Sequence, residues 1–155
     1  MASDRLEALR IVTLFSGLTD EALSLIAQVA SEESHATGTK IFQHGDTGDK
    51  LYLIRDGKVR ISRDVPGMGE EALAVLGPGQ CFGEMSLVDD SPRSADARVH
   101  ERCSLLAIPK DGFEDLLFLH KDLAYEVLWN IVRMLTGRLR ETNEKLTFLS
   151  MSGKF

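Results

Sequence analysis

A short segment, residues 82–95, brings together side chains that could bind a sugar phosphate. Gly83 lets the backbone approach a ligand closely, and the carboxylate of Glu84 follows it directly. Arg93 comes nine residues after Glu84, and its planar guanidinium matches phosphate oxygens. A short helical turn between them would offer backbone N–H groups to an anion. Each charge alone would be an ordinary surface residue, but together they predict a ligand with sugar hydroxyls and a phosphate.

The composition argues against several other kinds of site. The formal net charge is -6 and the pI is about 5.2, so no basic face for nucleic acid is expected. The four histidines occur singly, without the paired ligands of a metal enzyme. The loop of type G-x-x-x-x-G-K that binds nucleoside triphosphates is absent from the sequence. The sequence therefore predicts no metal, no cofactor, no catalytic activity and no direct binding of nucleic acid.

The cysteines and the lack of a long apolar run predict the cellular location. Cys81 and Cys103 are too few for a disulfide scaffold, which favours two buried thiols in a reducing compartment. No apolar run approaches the length of about 18 residues that a membrane helix needs. The N-terminus opens polar and lacks the apolar core of a signal peptide. We therefore expect a cytoplasmic protein that does not associate with membranes.

The chain reads as helices, then short strands, then helices, all within one domain of residues 1–155. Residues 1–32 are predicted to be helical, with Thr19 as an N-cap. Residues 33–109 alternate strand-like runs with Gly and Asp turns, which is typical of a sandwich or barrel. Residues 110–150 are predicted to be helical again. The fold class is therefore mainly β with flanking α.

Within the β region, turn residues separate the predicted strands. Asp56-Gly57 predicts a two-residue hairpin, and residues 65–69 predict a hairpin tip. The predicted strands are Lys40–Gln43, Leu51–Arg55, Lys58–Arg63, Glu71–Leu76 and Leu105–Pro109.

The helical C-terminal region carries a regular apolar stripe. A short helix is predicted from Asp111 to about Leu119, and a long one from Asp122 to about Leu149. Seven positions of the long helix alternate spacings of four and three, which is the pattern of a two-stranded coiled coil: Leu128, Val132, Leu135, Leu139, Thr142, Leu146 and Leu149. The stripe predicts a homodimer; the alternative is a stripe that packs on its own domain.

Residues 82–95 also resemble the phosphate-binding cassette of the cyclic-nucleotide-binding family, which runs F-G-E, then apolar and small residues, then R, a small residue and A. Gly45-Asp46 through Gly57 resembles the first hairpins of that family, and residues 77–82 resemble the lead-in to its cassette. The resemblance covers nearly the whole chain. It implies an eight-stranded jelly-roll β-barrel with N-terminal helices and a long C-terminal helix, which senses cAMP or cGMP.

The resemblance also implies a role for each matched residue. Glu84 would accept a hydrogen bond from the ribose 2′-OH, and Arg93 would bind the equatorial phosphate oxygen. Gly83 would help to seat the ribose through its backbone, while Ser94 and Ala95 would donate to the phosphate. The implied packing contacts are Val59, Leu73 and Ala74 on the apolar side of the pocket, and Met85 beside the sugar.

The stretch from Arg138 to Lys145 resembles the corresponding helix of the catabolite activators within this family. This resemblance implies that Arg138 meets the ribose-binding glutamate, and that Thr142 and Asn143 reach the adenine, partly across the dimer seam. Two alternatives stay open: a Thr142 hydroxyl that bonds back to a carbonyl of its own helix, and an Arg138 side chain that is exposed to solvent.

These resemblances favour cAMP over cGMP as the ligand. Ser94 is compatible with either nucleotide, whereas Thr142 and Asn143 suit an adenine amino group. The expected function is a sensor that couples the nucleotide to the position of the long helix, which a downstream protein partner would read. The competing hypothesis is a structural dimerisation module that has the same fold but no physiological ligand.

Overall fold

The computed structural model describes residues 2–84 and 89–153. Its helices are α1 (Ala2–Arg10), a 3-10 turn (Thr13–Phe15), α2 (Asp20–Val29), α3 (Lys110–Leu119) and α4 (Lys121–Met151). Its strands are β1 (Ser31–His35), β2 (Lys40–Phe42), β3 (Lys50–Val65), β4 (Gly69–Leu76), β5 (Cys81–Phe82) and β6 (Asp96–Pro109). In the described part of the chain, no helix has an apolar stretch long enough to cross a membrane.

The strands form one antiparallel sheet built around two long members. β3 and β6 pair from Lys50 opposite Pro109 to Ser62 opposite Asp96. The path runs β1-β6-β3-β4, with β2 beside β6 and β5 beside β3. The predicted class, mainly β with flanking helices, is confirmed. The eight-strand count and the closed barrel are not confirmed. The described residues form six strands, and among them the edge strands β1 and β4 do not pair with each other to close the sheet.

The predicted hairpin at Asp56-Gly57 is wrong, because β3 continues through these residues. Gly57 has a φ of +83°, and the register with β6 shifts on both sides of it. A Cβ atom at Gly57 would collide with the carbonyl oxygen of Arg102 on the neighbouring strand, so only glycine fits this bulge. The second predicted turn is confirmed, since Val65 pairs with Gly69 across the end of the β3–β4 hairpin.

The N-terminal helices pack against the sheet and against α3. Thr19 caps α2 as predicted, with its hydroxyl oxygen accepting a hydrogen bond from the Ala22 N–H at 3.2 Å. Leu23 and Ile26 point inward from α2 and are buried. In the same apolar cluster, the ring of Phe113 lies 6.1 Å from that of Phe15, centroid to centroid, which joins the two helical ends of the chain.

Helix α4 confirms the predicted long helix and consists of two unlike halves. Its first half buries Leu123, Val127 and Ile131. Asn130 anchors this half, because its amide nitrogen donates to the carbonyl oxygens of Leu14 at 2.9 Å and Ser16 at 2.8 Å. Every residue from position 135 to position 151 is exposed. The second half of α4 therefore extends away from the core that holds the first.

Candidate functional site

A cavity of about 620 Å³ lies between the sheet and α4. This volume is in the range of small-molecule sites. Its walls come from three parts of the chain. The strand wall and the segment after it contribute Phe42, Ile61, Ala74, Leu76, Gln80, Cys81, Phe82, Gly83 and Glu84; the loop wall contributes Asp89, Ser91, Pro92, Arg93, Ser94 and Ala95; and α4 contributes Arg133, Met134, Gly137, Arg138 and Glu141.

Arg93 is the buried cation of this cavity, with 5% of its surface exposed. Its guanidinium donates to the carbonyl oxygens of Gly83 at 3.1 Å and Lys50 at 2.7 Å. The guanidinium carbon also lies 4.1 Å from the centroid of the Phe42 ring. Burial lowers the pKa of Arg93, but an arginine side chain stays charged in proteins. The cavity therefore contains a positively charged guanidinium whose orientation is fixed by two backbone carbonyls and the Phe42 ring.

The backbone of Arg93 is held by the loop that follows β2. The Arg93 N–H donates to the carbonyl oxygen of Asp46 at 2.8 Å, and the Gly45 N–H donates to the carbonyl oxygen of Arg93 at 2.9 Å. Next to this pair, the His44 N–H donates to the buried carboxylate of Asp96 at 2.7 Å. The Gly-Asp turn noted in the sequence thus positions the loop wall of the cavity.

Gly83 occupies a position that only glycine tolerates. Its φ is +82°, in the left-handed region. A Cβ atom there would lie 2.6 Å from Nη1 of Arg93 and 3.1 Å from the carbonyl oxygen of Lys50. The absent side chain is therefore what allows the guanidinium of Arg93 to pack against the backbone.

Glu84 is the buried carboxylate of the cavity, also with 5% of its surface exposed. Oε1 of Glu84 accepts a hydrogen bond from Nη1 of Arg138 on α4. The Arg138 side chain is 46% exposed, so this ion pair lies at the rim. Burial, together with the nearby Glu84 carboxylate, raises the pKa of the Cys81 thiol to about 12, so this cavity-lining thiol stays neutral.

The structure brings most of the predicted site residues to this cavity. Those that line it are Gly83, Glu84, Arg93, Ser94, Ala95, Ala74 and Arg138. Met85 lies outside the described residues. Val59 does not line the cavity: it is fully buried in the core beneath it. Leu73 is exposed on β4, at the residue that the register shift with β3 passes over, whereas its neighbour Ala74 is opposite Ile61 and lines the cavity.

Thr142 and Asn143 lie on the exposed second half of α4, beyond the cavity lining. The Thr142 hydroxyl donates to the carbonyl oxygen of Arg138 at 2.9 Å, which is the back-bonded arrangement left open by the sequence. Within one chain, neither side chain reaches the cavity.

Sequence reasoning missed several cavity-lining residues. Ile61 and Ala74 are opposite each other on β3 and β4, so strand pairing would have indicated Ile61. On α4, helical spacing from Arg138 would have indicated Met134 and Glu141, which share its face of the helix.

The chain is similar in sequence to known proteins. The profile of the family described as "Cyclic nucleotide-binding domain" matches residues 32–120, more than half of the chain. The chain is 42% identical to the cyclic AMP receptor protein of Thermus thermophilus, over 88% of this chain and 62% of that protein. It is 35% identical to isozyme 1 of the cGMP-dependent protein kinase of Drosophila melanogaster, over 70% of this chain and 15% of that protein.

The fold is similar to solved structures as well. The catabolite activator protein of Thermus thermophilus matches with a TM-score of 0.78 and 39% identity, covering 89% of this chain and 63% of that one. A cyclic nucleotide-binding domain from Methylobacillus flagellatus matches with a TM-score of 0.79 and 27% identity, covering 94% and 82%.

The chain spans 62% of the length of the Thermus relative, which is named a cyclic AMP receptor protein. The matched fold, the family profile and the cavity with its glutamate and arginine agree on a regulatory class of domain. The chain belongs to the cyclic nucleotide-binding domain family.

Proposed function

We propose that this domain is a sensor of cyclic nucleotides that prefers cAMP to cGMP and couples binding to the position of α4. The observation that carries the proposal is the single cavity that contains both the buried cation Arg93 and the buried carboxylate Glu84. A ligand that suits both must offer an anion and a hydrogen-bond donor. The cyclic phosphate and ribose 2′-OH of a cyclic nucleotide supply both.

The walls suggest how the nucleotide would lie. The phosphate would bind Arg93 and the loop wall that includes Ser94 and Ala95, while the ribose would bind Glu84. Ile61 and Leu76 offer apolar surface to the base from the strand side. The base would then lie against α4, so the ligand would contribute free energy to one position of this helix over another. No cofactor or metal ion is needed beyond the nucleotide itself.

The preference for cAMP is supported by two observations. The Thermus relative, which is 42% identical to this chain over 137 aligned residues, is named a cyclic AMP receptor protein. Thr142 and Asn143 also match the adenine-contacting positions of the catabolite activators. In one chain these two side chains do not line the cavity, so this contact requires a second copy of α4.

The exposed face of α4 supports a homodimer. The six apolar members of the stripe, from Leu128 to Leu149, are 37–60% exposed in the single chain. The opposite face of the first half is buried in the core. A stripe that packed on its own domain would not be exposed to this extent, whereas a second α4 would cover it.

The nucleotide proposal is tested by isothermal titration with cAMP and cGMP, with 5′-AMP as a control that has an open phosphate. We expect micromolar or tighter binding of cAMP, weaker binding of cGMP, and little binding of 5′-AMP. Equal affinity for the two cyclic nucleotides would reject the preference alone. No heat and no thermal stabilisation with either would favour the ligand-free dimerisation module.

The dimer is tested by sedimentation velocity on the unmodified chain, Leu139→Glu and Thr147→Glu. Leu139 belongs to the stripe, whereas Thr147 is an exposed residue beside it on the same helix. We expect dimers for the unmodified chain and Thr147→Glu, and monomers for Leu139→Glu. A monomeric unmodified chain at high concentration would reject the dimer. A downstream protein partner and a cytoplasmic location stay predictions.

A further inference from the structure

We propose that Phe42 is a positioning residue for the nucleotide phosphate, because its ring holds the Arg93 guanidinium through a cation–π contact. The proposal rests on the proposed function and adds a determinant that the cassette pattern, residues 82–95, does not contain. Phe42 lies outside that segment, at the end of β2.

The contact has the geometry of a cation–π interaction. The guanidinium carbon of Arg93 lies 4.1 Å from the ring centroid of Phe42, well inside the usual limit of about 6 Å. Arg93 is buried, and such contacts are strongest where the cation is shielded from water. The Phe42 ring therefore attracts the Arg93 guanidinium electrostatically, in addition to packing against it.

The ring is itself held in place by two other aromatic side chains. Its centroid lies 6.1 Å from that of Tyr52 and 5.9 Å from that of Phe82. Tyr52 and Phe82 stack on each other at 5.1 Å with an interplanar angle of 12°. β2 is additionally tied to β6, where Phe42 pairs with Ala97. Phe42 therefore has little freedom to turn away from Arg93.

The position of Phe42 in the chain links two constraints on Arg93. The residues that follow it, Gly45 and Asp46, hydrogen-bond the backbone of Arg93, while the ring of Phe42 covers one face of the guanidinium. A guanidinium donates hydrogen bonds only within its own plane, and the Phe42 ring against its face holds the orientation of that plane. The ring thus determines the direction from which Arg93 can bind a phosphate.

A space-filling role for Phe42 would predict a different result from an electrostatic role. Fluorination weakens the negative face of a phenyl ring with little change in its size, so it separates the two. We would incorporate mono-, di- and trifluorophenylalanine at position 42 and measure the dissociation constant for cAMP by calorimetry. The matched control is the same series at Phe113, which packs against Phe15 in the other core cluster and does not line the cavity.

We expect the affinity for cAMP to fall step by step with each fluorine at position 42, by about 10- to 30-fold over the series, and to stay constant for the series at Phe113. Phe42→Tyr should bind like the parent, whereas Phe42→Leu should bind weakly although it remains folded by circular dichroism. A flat series at position 42 would overturn the positioning role while the proposed function stands. If the unmodified protein bound neither cyclic nucleotide, the proposed function would fail, and the positioning role with it.

Discussion

Three arginines line the cavity, and the surroundings of two of them, Arg93 and Arg138, differ sharply. Arg93 is buried, and two backbone carbonyls and an aromatic ring hold its guanidinium. Arg138 is 46% exposed, lies on the half of α4 that leaves the core, and pairs with Glu84. One charge belongs to the sheet side of the cavity, and the other to a helix that the core holds only through its first half.

This difference separates two tasks that the domain would perform. Protein groups alone hold the Arg93 guanidinium in place, so little conformational entropy would be lost when it binds a phosphate. The half-exposed Arg138 joins α4 to the buried Glu84, so a ligand that binds Glu84 would act directly on the contact that positions this part of the helix. We therefore infer that the sheet side supplies affinity and that the α4 side supplies the response.

The largest expected effect is the loss of affinity in Arg93→Gln. Removing a charge-assisted hydrogen bond to phosphate costs about 1.5–3 kcal/mol. This loss corresponds to a dissociation constant for cAMP that is roughly 10- to 150-fold larger. The measurement is isothermal titration. Arg55→Gln is the matched control, because Arg55 pairs with Glu32 at the surface and should bind like the parent. Unchanged affinity in Arg93→Gln would remove Arg93 from the site.

The second effect compares one glycine from each side of the cavity. Gly83→Ala would force a left-handed φ on alanine and crowd Arg93, so we expect a loss of about 1–3 kcal/mol in the free energy of unfolding, with weaker cAMP binding. Gly137→Ala lies on α4 with open space around it, and should stabilise the helix by up to about 1 kcal/mol. Urea unfolding measures both, and similar effects for the two variants would contradict the comparison.

The third effect tests the anchor of α4. Asn130→Ala removes the donor that satisfies the carbonyl oxygens of Leu14 and Ser16, and we expect it to lower the free energy of unfolding by about 1–3 kcal/mol. Asn143→Ala, on the exposed half of the same helix, should change it by less than about 0.5 kcal/mol. If chemical denaturation found equal losses, the two halves of α4 would not differ as described.

The smallest effect is expected for Arg138→Gln. Because glutamine keeps an N–H donor for the buried Glu84 carboxylate, we expect less than about a fivefold change in the dissociation constant for cAMP. Calorimetry under the conditions used for Arg93→Gln provides the comparison. A loss as large as that of Arg93→Gln would show that both sides of the cavity supply affinity.

Local patterns in the sequence predicted the helices and the cassette well. The helix predicted from Asp122 to about Leu149 is observed from Lys121 to Met151, because helical periodicity depends on residues a few positions apart. Glu84 and Arg93 were predicted from one short segment, and the structure brings both to one cavity.

Features that depend on distant strands could not be read in the same way. A Gly after an Asp favours a hairpin locally, but at Gly57 the long pairing of β3 with β6 makes it a bulge. β1 is too polar to show an alternating pattern, and it forms because residues from Ser31 onward pair with β6. Leu73 lies where the register between β3 and β4 shifts, so its outward direction was not evident from the sequence.

We infer that a nucleotide bound by Arg93 changes the position of α4 and with it the environment of the side chains on this helix. Trp129, the single tryptophan, lies on α4 with its ring 5.6 Å from the guanidinium carbon of Arg133, which lines the cavity. We would titrate cAMP into the unmodified chain and into Arg93→Gln while recording tryptophan emission. We expect a saturable change in the unmodified chain, with the midpoint found by calorimetry, and no change in Arg93→Gln over the same range. Calorimetric binding with constant emission would contradict the coupling between ligand and helix.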